Sequence, residues 1–528
     1  MPKLLNWLDQ HLLTLIAGFL LVFIPLYPKW PLFDILPGYN VRVRLEDVLI
    51  LIANFYFIFQ VVRKKIKIQS APLFKPILIY LTIGLLSTLS AIFITKTVYP
   101  EWIQIAKVFL HWFRRIEYFS LFFIFYFALK NLKTLKVFIC LLMFTVFSVS
   151  IYGFGQKYLY WPAYSTMNRE FSKGIALYLT EHARVLSTFG GHFDLAGYIV
   201  ITLIPLIIIS LVYEKKWIRY LSLLVSVFEY WLLILTASRT SWVAYIIGIS
   251  AAFFLMFFKK RFFWVFSRWL VVISLSFLIM ISFGDLSERF SHILKLEGVK
   301  EIVLRPFRSP PKNGLALNPN LSLEEQLSII ATRTDIPPSS ERPPGSLPDK
   351  PLDVYDDTYE KLQAYLATVS GETFNINYSE NALRYGLSAG IRLDTLWPNA
   401  VRALKINPLL GTGYSTLVKS KVWEFTIAES TDNDYLRLLG ETGILGFASF
   451  ILILGVVLKT LYRAFRKSTR LLDSALFGSG IAITIGLLAN AIYIDVFEAS
   501  KIAYSYWSII GLLLALATHT LKHDKKTA

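Results

Sequence analysis

Asp432, Asn433 and Asp434 place two carboxylates and an amide on three consecutive positions. A carboxylate held near a hydroxyl can take its proton as a general base. Asp432 is the first candidate for that work and Asp434 its nearest rival. Two carboxylates could also bind a divalent cation, but such a loop is more often a turn or a helix N-cap. Glu441, a turn further along, reads as structural. The second set is basic: Arg184 in HARVLSTFGGHFDLAGY, Arg239 in LTASRTSW and Arg392 in GIRLDTLWPNAVRALKINPLLG, with Arg42, Arg44 and Arg114-Arg115 beside Glu117. A guanidinium offers a planar fork that fits phosphate oxygens. The alternative is that each arginine reaches lipid headgroups or pairs with a nearby carboxylate. That alternative suits Arg42, Arg44 and Arg115 better than Arg184 and Arg239, which sit among small polar residues and turn signals. The candidate substrate-binding residues are Arg115, Arg184, Arg239, Arg392, His192 and Asn433. His182 and His192 lie ten apart with no cysteine or i, i+4 partner, which argues against zinc. No metal or cofactor site is expected. Gly411-Thr412-Gly413 lacks the third glycine and the surrounding βαβ pattern of a dinucleotide fingerprint.

Positioning these groups falls to the stretch from Asn407 to Gly446. Asn407-Pro408 and Gly411-x-Gly413 mark a tight, strained turn. After Asp434, Tyr435, Leu436, Leu438 and Leu439 fall on a helical stripe that ends at Thr442-Gly443. An apolar run follows at once. Turn, acidic cluster and short amphipathic helix thus lead into a membrane span.

The chain of 528 residues is 55% hydrophobic and 16% aromatic, with apolar runs recurring along it. Runs of about 20 apolar residues are membrane spans, not soluble cores. The expected fold is an all-α polytopic membrane protein with about twelve transmembrane helices and one large, partly helical external loop. Nine helices occupy 1–283 and three occupy 444–528, with 284–443 between them. The first span lacks a small-residue cleavage site and reads as a retained helix. The single cysteine, Cys140, lies in an apolar run and reads as a small buried hydrophobe.

Charge gives the orientation. Segment 284–443 carries 17 lysines and arginines against 21 acidic residues, and the rest of the chain 37 against 15. The net charge of +18 is therefore a positive-inside signal, not a nucleic-acid footprint. Short basic loops such as Arg63-Lys64-Lys65 and Lys259-Lys260-Arg261 put both termini in the cytoplasm and 284–443 outside. Within that segment 305–352 reads as a Pro-rich insert with a capping-box start at Ser322, and 353–369 as an amphipathic helix.

Asn407-Pro408-Leu409-Leu410-Gly411-Thr412-Gly413, Asp432-Asn433-Asp434-Tyr435-Leu436 and Gly440-Glu441-Thr442-Gly443-Ile444-Leu445-Gly446 together resemble the O-antigen ligase/polymerase superfamily. Ser238-Arg239, Arg184 with Ser187-Thr188-Phe189, and Arg392 with Trp397 resemble further blocks of it. The resemblance implies a bacterial inner-membrane glycosyltransferase of the GT-C type. Its donor would be a glycan on undecaprenyl diphosphate, and its acceptor a lipid, polysaccharide or protein hydroxyl. It also implies that Arg184, Arg239 and Arg392 grip the diphosphate. Asp432 stands where the family's ligases usually carry histidine, which leaves polymerase-type activity open.

Transfer from a diphosphate already has a good leaving group. The site must stabilise the departing charge and remove a proton from the attacking hydroxyl. Arginines do the first without a metal; Asp432 could do the second. Direct displacement of this kind inverts the anomeric centre. A transporter or flippase would also have about twelve spans, but should show matching broken helices in two halves. A scaffold would have no use for arginines at several separate span ends.

Overall fold

No water satisfies backbone groups inside a bilayer, so a chain this apolar closes its hydrogen bonds within helices. The computed structural model describes residues 2–35, 42–167, 171–180, 183–282, 381, 387–417 and 431–527. The first nine helices are α1 Pro2–Leu26, α2 Leu45–Val62, α3 Phe74–Phe93, α4 Trp102–Ala128, α5 Leu132–Tyr158, α6 His192–Val212, α7 Lys216–Leu235, α8 Arg239–Met256 and α9 Phe262–Ser282. A short helix Leu387–Ile391 and a π-turn Arg392–Leu396 lead into α10 Trp397–Ile406. Then come α11 Asp434–Lys467, α12 Leu471–Asn490 and α13 Ser500–Thr527.

Among the described residues, eleven helices are long and apolar enough to cross a membrane. α4 is as long as any of the first nine, but Arg114, Arg115 and Glu117 crowd charge into it. The chain is an all-α polytopic membrane protein, as its composition predicts. Two short strands, Pro31–Asp34 and Arg42–Arg44, pair antiparallel between α1 and α2. Arg42 Nε lies 2.7 Å from Asp34 Oδ1 across that ladder, the carboxylate pairing anticipated for a span-end arginine.

Burial separates centre from rim. The apolar stretches of α6 and α12 are 83% buried and that of α13 89%, against 17% for α9. α13 packs on α4 through interlocking rings: Tyr118 meets Tyr504 edge-on at 5.3 Å, and Phe119 meets Trp507 at 4.7 Å. α8 and α12 touch through Gly248 and Gly486, where a Cβ on either would lie 3.1 Å from a backbone carbonyl of the other helix. Small residues at that crossing permit the close approach on which membrane helix packing depends. The capping box at Ser322, the insert 305–352 and the amphipathic helix 353–369 lie outside the described residues.

Candidate active site

The turn predicted at Asn407–Gly413 and the helix stop predicted at Gly443 prove to be one interlocked unit. α11 breaks at Gly443, which has φ +66°, leaving a short helix 434–442 ahead of the span. Gly411 and Gly413 also have positive φ, +68° and +92°. The N–H groups of Thr412 and Gly413 donate to the carbonyls of Gly440 and Glu441 at 3.0 and 2.9 Å. In return the N–H groups of Ile444 and Leu445 donate to the carbonyls of Pro408 and Leu409 at 2.9 and 3.2 Å. The turn thus caps the short helix's C-terminus and the span's N-terminus together, satisfying groups that a helix end leaves open. A Cβ at Gly443 would sit 2.4 Å from the Leu409 carbonyl, and one at Gly411 2.5 Å from Glu441 backbone, so both positions require glycine.

The three residues at the head of the short helix have different fates. Asn433 is the N-cap: its side-chain oxygen accepts from Leu436 N–H at 2.9 Å, and its Nδ2 donates to the Ile492 carbonyl at 2.9 Å. The cap reading considered for Asp432 therefore belongs to its neighbour. Asp434 is buried; its N–H donates to Ala491 O, and its Oδ2 accepts from Phe497 N–H at 3.1 Å. It holds the 491–499 connection in place. Asp432 adopts φ +50° and keeps 34% of its side chain exposed. Its Oδ2 lies 2.9 Å from Arg392 Nη2, and the Arg392 guanidinium lies over the Tyr493 ring at 4.1 Å. The π-turn that carries Arg392 thereby delivers it to the acidic head of the short helix.

The other arginines attach to this region through the backbone. Arg184 Nη1 is 2.7 Å from His192 Nε2, and both side chains are buried. Val185 N–H donates to Leu235 O, which sets the Arg184 segment against the turn that opens α8 at Arg239. That turn carries Ala237 at φ +50°, matching the break expected between two apolar helices. One turn into α8, Ser241 Oγ accepts from Asn490 Nδ2 at 3.2 Å. Asn490 in turn precedes the residues bonded by Asn433 and Asp434.

Arg115 belongs to a second, deeper cluster. Its Nη2 lies 2.6 Å from Glu498 Oε1 and 3.5 Å from Glu441 Oε2, and its guanidinium covers the Tyr414 ring at 4.4 Å. Glu441 Oε1 also pairs with Arg437 Nε at 3.3 Å and accepts from Ser415 N–H at 3.0 Å. Arg437 Nη1 reaches Asp495 Oδ2 at 2.8 Å. Arg114 Nη1 meets Asp47 and Glu117, each at 2.7 Å. Burial pushes the Glu498 carboxyl up, against the pull of Arg115 and Arg437. Sequence reasoning left out Arg437, Tyr493, Asp495 and Glu498. The signal available was two acidic residues in the short gap between the last two spans, opposite unmatched arginines.

These elements define a multi-pass membrane protein with paired charges around the short helix: Asp432 with Arg392 at its head, and Glu441 and Arg437 with Arg115 and Asp495 further along. Residues 362–451 match the family described as O-antigen ligase, which supports the resemblance of the chain to the O-antigen ligase/polymerase superfamily. No curated protein matches the chain significantly. The matched stretch contains Arg392, Asp432, Asn433, Asp434 and the whole interlocked turn; Arg115, Arg184, His192 and Arg239 fall outside it.

Proposed function

We propose that the chain transfers glycan from an undecaprenyl diphosphate carrier to an acceptor hydroxyl, by single displacement with inversion and without a metal. The observation that carries this reading is the Arg392–Asp432 pair, partly exposed at the head of the short helix and inside the family-matched stretch. Of the two candidate carboxylates, only Asp432 is open enough to meet an acceptor.

The acceptor oxygen attacks the anomeric carbon, the bond from that carbon to the diphosphate oxygen breaks, and the diphosphate leaves with the electron pair. The hydroxyl proton passes to Asp432. Once Asp432 is neutral its pull on Arg392 is gone, and the Arg392 charge serves the departing diphosphate. Proton removal and leaving-group stabilisation are then two ends of one ion pair. Arg184 with His192, and Arg239, supply further donors to the diphosphate. Asn433 sets the height of Asp432 through its cap.

The reaction belongs outside the cytoplasm of a bacterial inner membrane, with 284–443 external and both termini inside. Cysteine placed at Ser346 in a Cys140→Ala background labels with an impermeant reagent on intact spheroplasts; labelling only after lysis overturns the orientation. For the activity, the test is transfer by the purified protein in bilayers supplied with an undecaprenyl diphosphate-linked glycan. Arg184→Ala and Arg239→Ala each abolish product while the protein stays folded, and lysine at either position restores only part of it. Full activity in both alanine variants overturns the assignment.

A further inference from the structure

Beside Arg437 on the short helix lies a cavity of about 270 Å³, lined chiefly by His111, Arg114, Arg115, Tyr118, Arg437 and Glu498. Three arginines suggest a phosphate site, but the charges around them do not. Those three guanidinium groups face five carboxylates, Asp47, Glu117, Glu441, Asp495 and Glu498. The pairs leave no surplus positive charge among these groups. A phosphate oxygen only accepts hydrogen bonds, so it would meet the Glu498 carboxylate with nothing to donate.

A sugar hydroxyl both donates and accepts, which suits a wall that offers guanidinium donors from Arg114, Arg115 and Arg437 together with the Glu498 carboxylate as acceptor. Arg115 adds a direct sign of an absent partner. It is 3% exposed and lines the cavity, yet its Nε meets no hydrogen-bond acceptor among the described residues. A buried donor left unmatched is costly, and a ligand oxygen relieves that cost. Ligand pockets for drug-sized molecules run to about 300–1,000 Å³, so a cavity of this size takes one ring.

We propose that this cavity is a subsite for one neutral pyranose unit of the glycan handled by the enzyme. The proposal rests on the glycan-transfer reading above and refines it. The unit comes either from the lipid-linked donor or from the acceptor; both present the same hydroxyl chemistry.

The test is saturation-transfer NMR on the full chain in nanodiscs. The probes are the methyl glycosides of glucose, galactose, mannose and N-acetylglucosamine, with inorganic pyrophosphate measured separately by competition. At least one glycoside shows transfer, and Leu110→Trp, which fills the cavity without touching the ion pairs, removes most of that signal. Arg115→Lys, which keeps the charge but loses the fork, weakens it. Pyrophosphate leaves it unchanged. A lipid-linked donor glycan displaces the glycoside if the unit is the donor's, and leaves it bound if the unit is the acceptor's. Transfer that ignores Leu110→Trp, or a glycoside displaced by pyrophosphate, overturns the subsite. Undecaprenyl diphosphate binding is followed on the same samples: lipid bound with no glycoside signal fells the subsite alone, whereas no lipid binding fells the transferase reading.

Discussion

Asp432 and Glu441 sit at opposite ends of one short helix, and both are paired with arginine. Asp432 is paired with Arg392 and keeps a third of its side chain in the open. Glu441 is 1% exposed and held by Arg115, Arg437 and the Ser415 N–H. A carboxylate that must exchange a proton with a substrate needs the first environment. A carboxylate that fixes two guanidinium groups in a low-dielectric interior needs the second. On the transfer reading proposed above, what sets the base apart from the other carboxylates is not its charge but how open its surroundings are.

The largest expected effect is at the open end. Asp432→Asn keeps the shape and lowers turnover by about 10²–10⁴-fold with little change in donor affinity, read as a kcat loss at near-constant KM. Asp432→His retains part of the activity, since an imidazole can take the same proton. The closed end responds in stability. Glu441→Ala leaves Arg115 and Arg437 short of a buried partner and costs about 3–5 kcal/mol, measured by unfolding in detergent. If Glu441→Ala is instead stable and inactive, the contrast between the two ends fails. Asn433→Ala removes the cap and costs about 0.5–2 kcal/mol, with turnover falling only as far as Asp432 shifts. The smallest effect is Asp434→Asn. Its amide oxygen still accepts from Phe497 N–H, so transfer stays close to that of the unaltered chain. A dead Asp434→Asn beside an active Asp432→Asn moves the base two residues along.

Much of this was legible in the sequence. Apolar runs placed the helices to within a few residues, except that α1, α4 and α11 start well before the apolar stretch. Glycine at 411, 413 and 443 announced backbone that other residues adopt only with strain, and both the turn and the break are there. What sequence could not supply was partnership. Asp and Asn are comparable N-caps, so adjacency alone did not say that Asn433 takes the cap and Asp432 the arginine. Arg115 finds Glu441 and Glu498 more than three hundred residues away, and periodicity carries no information about contacts at that separation. Asp495 and Glu498 lay in a gap too short to attract notice between two spans.

The interlock at Gly443 also determines a height. After the break, 24 residues of α11 remain, 444–467. At about 1.5 Å per residue they extend roughly 36 Å, enough to cross a bilayer core of about 30 Å unaided. The short helix is thus relieved of any share in the crossing and rests like a lintel on the top of the span. Four backbone hydrogen bonds fasten the joint, so it is a rigid bracket rather than a hinge. Asp432 then stands at one fixed height over the span, and on the transfer reading proposed above an acceptor hydroxyl must be brought to that height to react.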